Sequence, residues 1–131
     1  MPNAFDAAAG TGVVSAATGT LSHTNNGNIL WVTLGHQSLT TDIIGTVTYA
    51  GGTMTRAAHG FGTNAGGTNV GYLYYLAGPA TGANDIIWYA SGSAGISVVS
   101  ASYSGARQTE IPDAVGSFGF TGVTTISGTI T

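Results

Sequence analysis

The chain contains neither cysteine nor lysine, and charged residues make up only 5% of its 131 positions. Without cysteine there is no disulfide framework and no thiolate metal site. Arg56 and Arg107 are the whole supply of permanent positive side-chain charge, and the net charge is −3. No basic stripe is therefore available to neutralise phosphates, which disfavours nucleic acid and anionic membranes as partners. No apolar run approaches the roughly 18 residues that a spanning helix needs. The opening Met1-Pro2-Asn3-Ala4-Phe5-Asp6 lacks a basic n-region followed by a long apolar core, which argues against Sec export. Low charge also speaks against disorder, because disordered chains combine high charge with few β-branched and aromatic residues. It further removes the lysines that commonly guard exposed sheet edges, so much of the surface is expected to be covered by partners.

What the chain does contain is glycine, 22 residues of it, with abundant Thr, Ser and Ala and 9% aromatics. Its length is that of one domain. Residues 1–12 read as a flexible N-terminal arm, either a frayed end or a segment in which Phe5 anchors on a neighbouring subunit. Residues 13–131 read as a single β-sandwich domain. A first strand is expected within Val13–His23, and Asn25-Asn26-Gly27-Asn28 is a strong turn because Asn and Gly accept positive φ cheaply. Ile29–Gly35 is a near-continuous apolar run, the pattern of a strand central in a sheet. Strands over Ile43–Tyr49 and Thr53–Ala57 flank the turn Ala50-Gly51-Gly52. The glycine- and asparagine-rich stretch 59–69 reads as a mobile loop. Tyr72–Leu76 carries aromatics on both faces, and after Pro79 and Gly82 come strands over Asp85–Ala90 and Gly95–Ser104. Ser117–Phe120 and Val123–Thr131 resume the strand pattern. About eight short strands with no substantial helix indicate an all-β, antiparallel, jelly-roll-like β-sandwich.

Three groups of residues in order carry a resemblance. They are Val47-Thr48-Tyr49-x-Gly51-x-x-Met54-Thr55, then Tyr74-Tyr75-Leu76-x-x-Pro79-x-Thr81-Gly82, then Val99-x-Ala101-x-Tyr103-Ser104-Gly105-Ala106-x-Gln108-Thr109. With Ser22-His23-Thr24 and the Ile29–Leu34 strand ahead of them, this pattern resembles β-sandwich domains of phage structural proteins and bacterial surface proteins. The Phe5-Asp6-Ala7 opening is more similar to the phage members. The resemblance implies a non-enzymatic virion protein, such as a capsid decoration or tail-associated protein. Such domains run several strands further, so the last edge is expected to be short or completed by another chain through strand addition.

The titratable residues give little support to catalysis. Asp6, Asp42, Asp85, Glu110 and Asp113 show no spacing that demands a facing pair of the kind glycosidases use. Glu110-Ile111-Pro112-Asp113 is an acidic pair without a calcium-loop pattern. His23, His36 and His59 lack metal-ligand spacing. Ala90-Ser91-Gly92-Ser93-Ala94-Gly95 is the nearest string to a nucleophile elbow and lacks its strand–turn–helix context. No catalytic residue, metal or cofactor is expected. The aromatics read first as core and interface packing. Trp88 and Tyr89, if exposed, would form a glycan-stacking platform, and Arg56 and Arg107 are expected as ion-pair or carbonyl partners, including across subunits. The sequence thus leads to a homo-oligomeric virion component, made in the host cytoplasm and exposed outside the cell, that contacts its own copies and capsid or tail proteins. A carbohydrate-binding adhesion module and a subunit of a self-assembling filament are the alternatives.

Overall fold

A computed structural model of the chain describes residues 2–37, 42–64, 67–109, 111 and 120–121. Among them there is no helix. The strands are β1 (Ala4–Gly10), β2 (Val14–Ser15), β3 (Thr18–Asn25), β4 (Ile29–Gln37), β5 (Ile44–Tyr49), β6 (Gly52–Thr53), β7 (Thr55–Asn64), β8 (Gly67–Ala77), β9 (Gly82–Ala90), β10 (Gly95–Ser104) and β11 (Phe120–Thr121). Eight of these are six residues or longer.

They form two sheets packed face to face. The larger runs β1-β10-β4-β8-β7-β11, with β2 also on β10, and the smaller runs β3-β9-β5-β6. The pairing is nested: β1 with β10, β3 with β9, β4 with β8 and β5 with β6, all antiparallel. β10 against β4 and β9 against β5 join these ribbons into sheets. Successive long strands therefore alternate between the sheets, which is the winding of a jelly roll. Met54 interrupts the ladder between β6 and β7, and there the chain leaves the smaller sheet for the larger. The short β11 lies parallel to β7.

Period-two patterning supplies the core. Leu30, Val32 and Leu34 of β4, Tyr72 and Tyr74 of β8, and Ile96 and Val98 of β10 face inward from the larger sheet. Leu21, Ile44, Val47, Tyr49, Ile86 and Trp88 meet them from the smaller one. Gly19 is required by this packing, because a Cβ there would lie 1.9 Å from Trp88 Cζ2. Tyr49 and Gly52 pair across a two-residue turn in which Ala50 and Gly51 take φ of 50° and 80°. Both positive values match the hairpin twist.

Two expectations are corrected. Residues 4–10 are not a flexible arm but an edge strand, paired from Ala4↔Ser104 to Gly10↔Val99. Its run of small residues carries no visible alternation, so burial of Ala7 and Ala9 against exposure of Ala8 is hidden in the sequence. Phe5 accordingly packs edge-on against Tyr103 of its own chain, with centroids 5.9 Å apart. Nor is 59–69 a loop. β7 and β8 pair in register down to Asn64↔Gly67, and the glycines that suggested mobility sit inside the hairpin. The expected C-terminal strands fall outside the described residues apart from Phe120 and Thr121.

Candidate functional site

The outer face of the larger sheet is the broadest feature left unpaired by the fold, and cross-strand register organises it into rows. One row holds Ala8, Ala101, Trp31, Tyr75 and Thr55; the next holds Gly10, Val99, Thr33, Leu73 and Ala58. The third is Ser97, Gly35, Gly71 and Gly60. No side chain in these rows is charged. The first two rows form an aromatic and aliphatic half. There the Trp31 and Tyr75 rings lie 5.4 Å apart at 41°, the Tyr75 hydroxyl donates to the Ile111 carbonyl, and Val99 is 56% exposed.

The third row opens the glycine half. It floors a groove of about 690 Å³ whose lining includes Phe61, Thr63, Asn69, Val13 and Ser97, a volume in the range of small-ligand sites. A Cβ at Gly71 would meet nothing within 4 Å, and one at Gly35 only ordinary contacts of 3.8 Å with Ser97 Oγ and the Val70 carbonyl. Neither glycine has positive φ. Unlike Gly19, these two glycines are demanded by neither packing nor backbone. A strand-interior glycine with no such internal reason marks a place where something else approaches closely.

Two polar clusters lie between the sheets. In the first, His23 on β3 is buried with Nδ1 2.9 Å from Ser100 Oγ and Nε2 2.9 Å from Ser102 Oγ. The Ser102 hydroxyl donates to Asp6 Oδ2 at 2.7 Å. A carboxylate only accepts, so the Ser102 proton is committed to it and Nε2 must carry the imidazole hydrogen, leaving Nδ1 to accept from Ser100. Asp6 also accepts from the backbone N–H of Asn26 at 2.8 Å and of Gly27 at 3.0 Å. It occupies the β-bulge between Phe5 and Ala7, which aims it at the β3–β4 turn. These bonds, led by the one from Asn26, hold its carboxyl below the ordinary 3.8 against a smaller opposing effect of burial. Burial pushes His23 below 6.5, with Asp6 pulling the other way. The order Asp–Ser–His–Ser puts the carboxylate on a serine rather than on the imidazole, and both serines are buried. It is a clasp that holds β1 to both sheets, not the arrangement that activates a serine nucleophile.

The second cluster surrounds Arg56. Its guanidinium pairs with Asp42, donates to the Ile44 carbonyl and to Tyr74 Oη at 2.9 Å, and lies over the Tyr72 and Tyr74 rings at 5.3 and 5.5 Å. Burial acts to raise the Asp42 carboxyl, but the Arg56 bond and charge outweigh it and the group is held low. His36 Nε2 lies 3.1 Å from Tyr72 Oη, which accepts from the Ile43 N–H at 3.1 Å. The Tyr72 hydroxyl can therefore donate to a neutral Nε2. His36 Nδ1 has no protein partner, and burial keeps this imidazole below 6.5 as well.

These placements settle the residues singled out from sequence. Trp88 cannot stack on a ligand: it is fully buried in the core, where the inward phase of β9 puts it. Tyr89 is 46% exposed on the outer face of the smaller sheet, in one row with Thr18 and Thr46. Arg56 is engaged within its own chain, and Arg107 is exposed beyond β10. Glu110, Pro112 and Asp113 lie outside the described residues. The three histidines do not converge, and no group of metal-ligating side chains forms among the described residues. Sequence reasoning missed Trp31, Tyr75, Gly35 and Gly71 as one surface. The available signal was glycine at strand positions, but only register shows that Gly35 and Gly71 are direct neighbours.

No family model matches the chain, and neither curated proteins nor solved structures show a significant match to it.

Proposed function

We propose that the protein is a non-enzymatic structural component of a virion, of the phage capsid-decoration or tail-associated kind, and that it works by packing against neighbouring subunits. The observation that carries this reading is the aromatic half of the larger sheet. Trp31, Tyr75, Leu73 and Val99 form a contiguous surface without charge, on a chain that has almost none to spare. Interface centres are depleted in charge and enriched in aromatic residues, and exposed apolar patches rimmed by polar groups mark interaction sites. The larger sheet is also rigid, since its central strands are laddered on both sides, so little conformational entropy is lost when it docks.

The test is the mass in solution by light scattering over a wide concentration range, for the wild type and for Val99→Lys. A closed oligomer or concentration-dependent growth is expected in the wild type, and loss of association with an unchanged melting temperature in the variant. A wild type that stays monomeric throughout removes the subunit-packing reading. The place in a particle is read separately, by peptide mass spectrometry of purified virions.

A further inference from the structure

We propose that the groove over Gly35 and Gly71 binds an uncharged glycan, with a pyranose ring lying flat on the glycine floor. The inference rests on the glycine half alone and does not depend on the packing role of the aromatic half.

The floor crosses three interstrand steps from β10 to β7, about 14 Å at the usual strand spacing. Gly35 and Gly71 sit on interior strands whose backbone groups are used in ladders on both sides. The floor therefore offers close van der Waals contact and little hydrogen bonding. Polar groups come instead from the margin: Ser97 Oγ lies 3.8 Å from where a Gly35 Cβ would be, and Thr63 and Asn69 line the same groove. Phe61, 54% exposed, adds an apolar ring to the lining.

These features select among ligand classes. A phosphate or carboxylate would meet no cation, because no Lys or Arg lines the groove and Arg56 is tied to Asp42. A lipid chain or purely apolar side chain would bury the Ser97, Thr63 and Asn69 groups without partners, a cost of unmade hydrogen bonds. An extended peptide gains affinity by adding to an open sheet edge, and this floor has no edge. A pyranose has an apolar C–H face for the glycines and the Phe61 ring, and hydroxyls at its perimeter for the margin. The two glycines then have a reason: each missing side chain leaves the depth of one ring.

The experiment screens soluble neutral oligosaccharides of hexoses and N-acetylhexosamines by saturation-transfer NMR and titrates the strongest binder by calorimetry. Gly71→Val fills the groove at a position where a Cβ meets nothing, so its melting temperature and solution mass should match or exceed the wild type. Its affinity should fall at least about tenfold. Ser97→Ala should weaken binding several-fold, and Tyr89→Ala on the opposite face should leave it unchanged. Gly35→Ala, a smaller change, replaces Gly71→Val if that variant fails to fold. The proposal is overturned if no oligosaccharide of the panel gives saturation transfer, if the groove-filled variant binds as the wild type does, or if Tyr89→Ala abolishes binding. It is also overturned if filling the groove changes the solution mass and leaves the glycan signal intact, since the groove would then be a subunit contact.

Discussion

The outer face of the larger sheet is built in two ways on the same four strands. Toward one end β10, β4, β8 and β7 present Ala101, Trp31, Tyr75 and Thr55; toward the other they present Ser97, Gly35, Gly71 and Gly60. Backbone pairing is continuous across both, so the difference is wholly one of side chains. One half projects bulk that can bury area against a flat partner. The other subtracts bulk and leaves a concavity. The contrast teaches that glycine in a strand has to be read by what a side chain would meet. At Gly19 it would meet Trp88 and the fold forbids it; at Gly71 it would meet nothing, and the fold is indifferent.

The largest expected effect sharpens that distinction. Gly19→Ala forces a methyl into the indole of Trp88 and should cost about 3 kcal/mol or more, the upper end of overpacking, read from urea unfolding. The groove-filling variant should cost nothing and can gain up to about 1 kcal/mol from removing a strand glycine. Equal losses at the two positions would erase the difference between required and permitted glycines.

The aromatic half should respond in the opposite sense. Trp31→Ala removes a half-buried ring packed on Tyr75 and should cost about 2 kcal/mol, below the full penalty for a core aromatic. It should also weaken association as strongly as Val99→Lys does. A Trp31→Ala protein with unchanged stability and mass would mean that this half is no more structured for contact than the groove.

The smallest effect separates both halves from the buried clusters. Neither half contains a charged group, so association and glycan binding should change little with pH while the fold holds. The fold itself should respond. His23 and His36 have native values lowered from 6.5 by burial, so the unfolded chain takes up protons at a pH where the folded chain does not. Stability should be flat above pH 6.5 and fall as the pH drops from there toward the lowered native values. Asp6 and Asp42, held below 3.8, contribute stability that is present above that value and lost as the pH falls through their native values. Melting temperature against pH checks this, and His23→Gln should flatten the slope just below neutrality. A melting temperature that rises on mild acidification would contradict the assigned neutral imidazoles.

Much of the architecture was legible because it depends on alternation. Ile29–Leu34 announced a central strand, the Ala50-Gly51 turn was where glycine and pairing require it, and the two aromatic phases of Tyr72–Leu76 identified a strand with work on both sides. The signal failed where side chains are too small to alternate. Ala4–Gly10 and the 59–69 stretch are strands held by neighbours, β1 by the ladder to β10 and the Asp6 clasp, β7 by its register with β8. The Asp6 clasp was invisible because its partners, at Asn26, Gly27 and Ser102, come from distant segments.

By itself, then, the sequence determined the fold class, the turn positions, the absence of a basic partner-binding surface and the low charge that directs attention to packing, because these follow from composition and from correlations between near neighbours. Only the tertiary structure decided which of Trp88 and Tyr89 reaches solvent, that Arg56 is satisfied internally, and that Gly35 and Gly71 are side by side. Those outcomes depend on the phase of each strand and on its register with strands tens of residues away. One residue of slip inverts every face, and no local pattern in a chain rich in glycine and alanine specifies register to that degree.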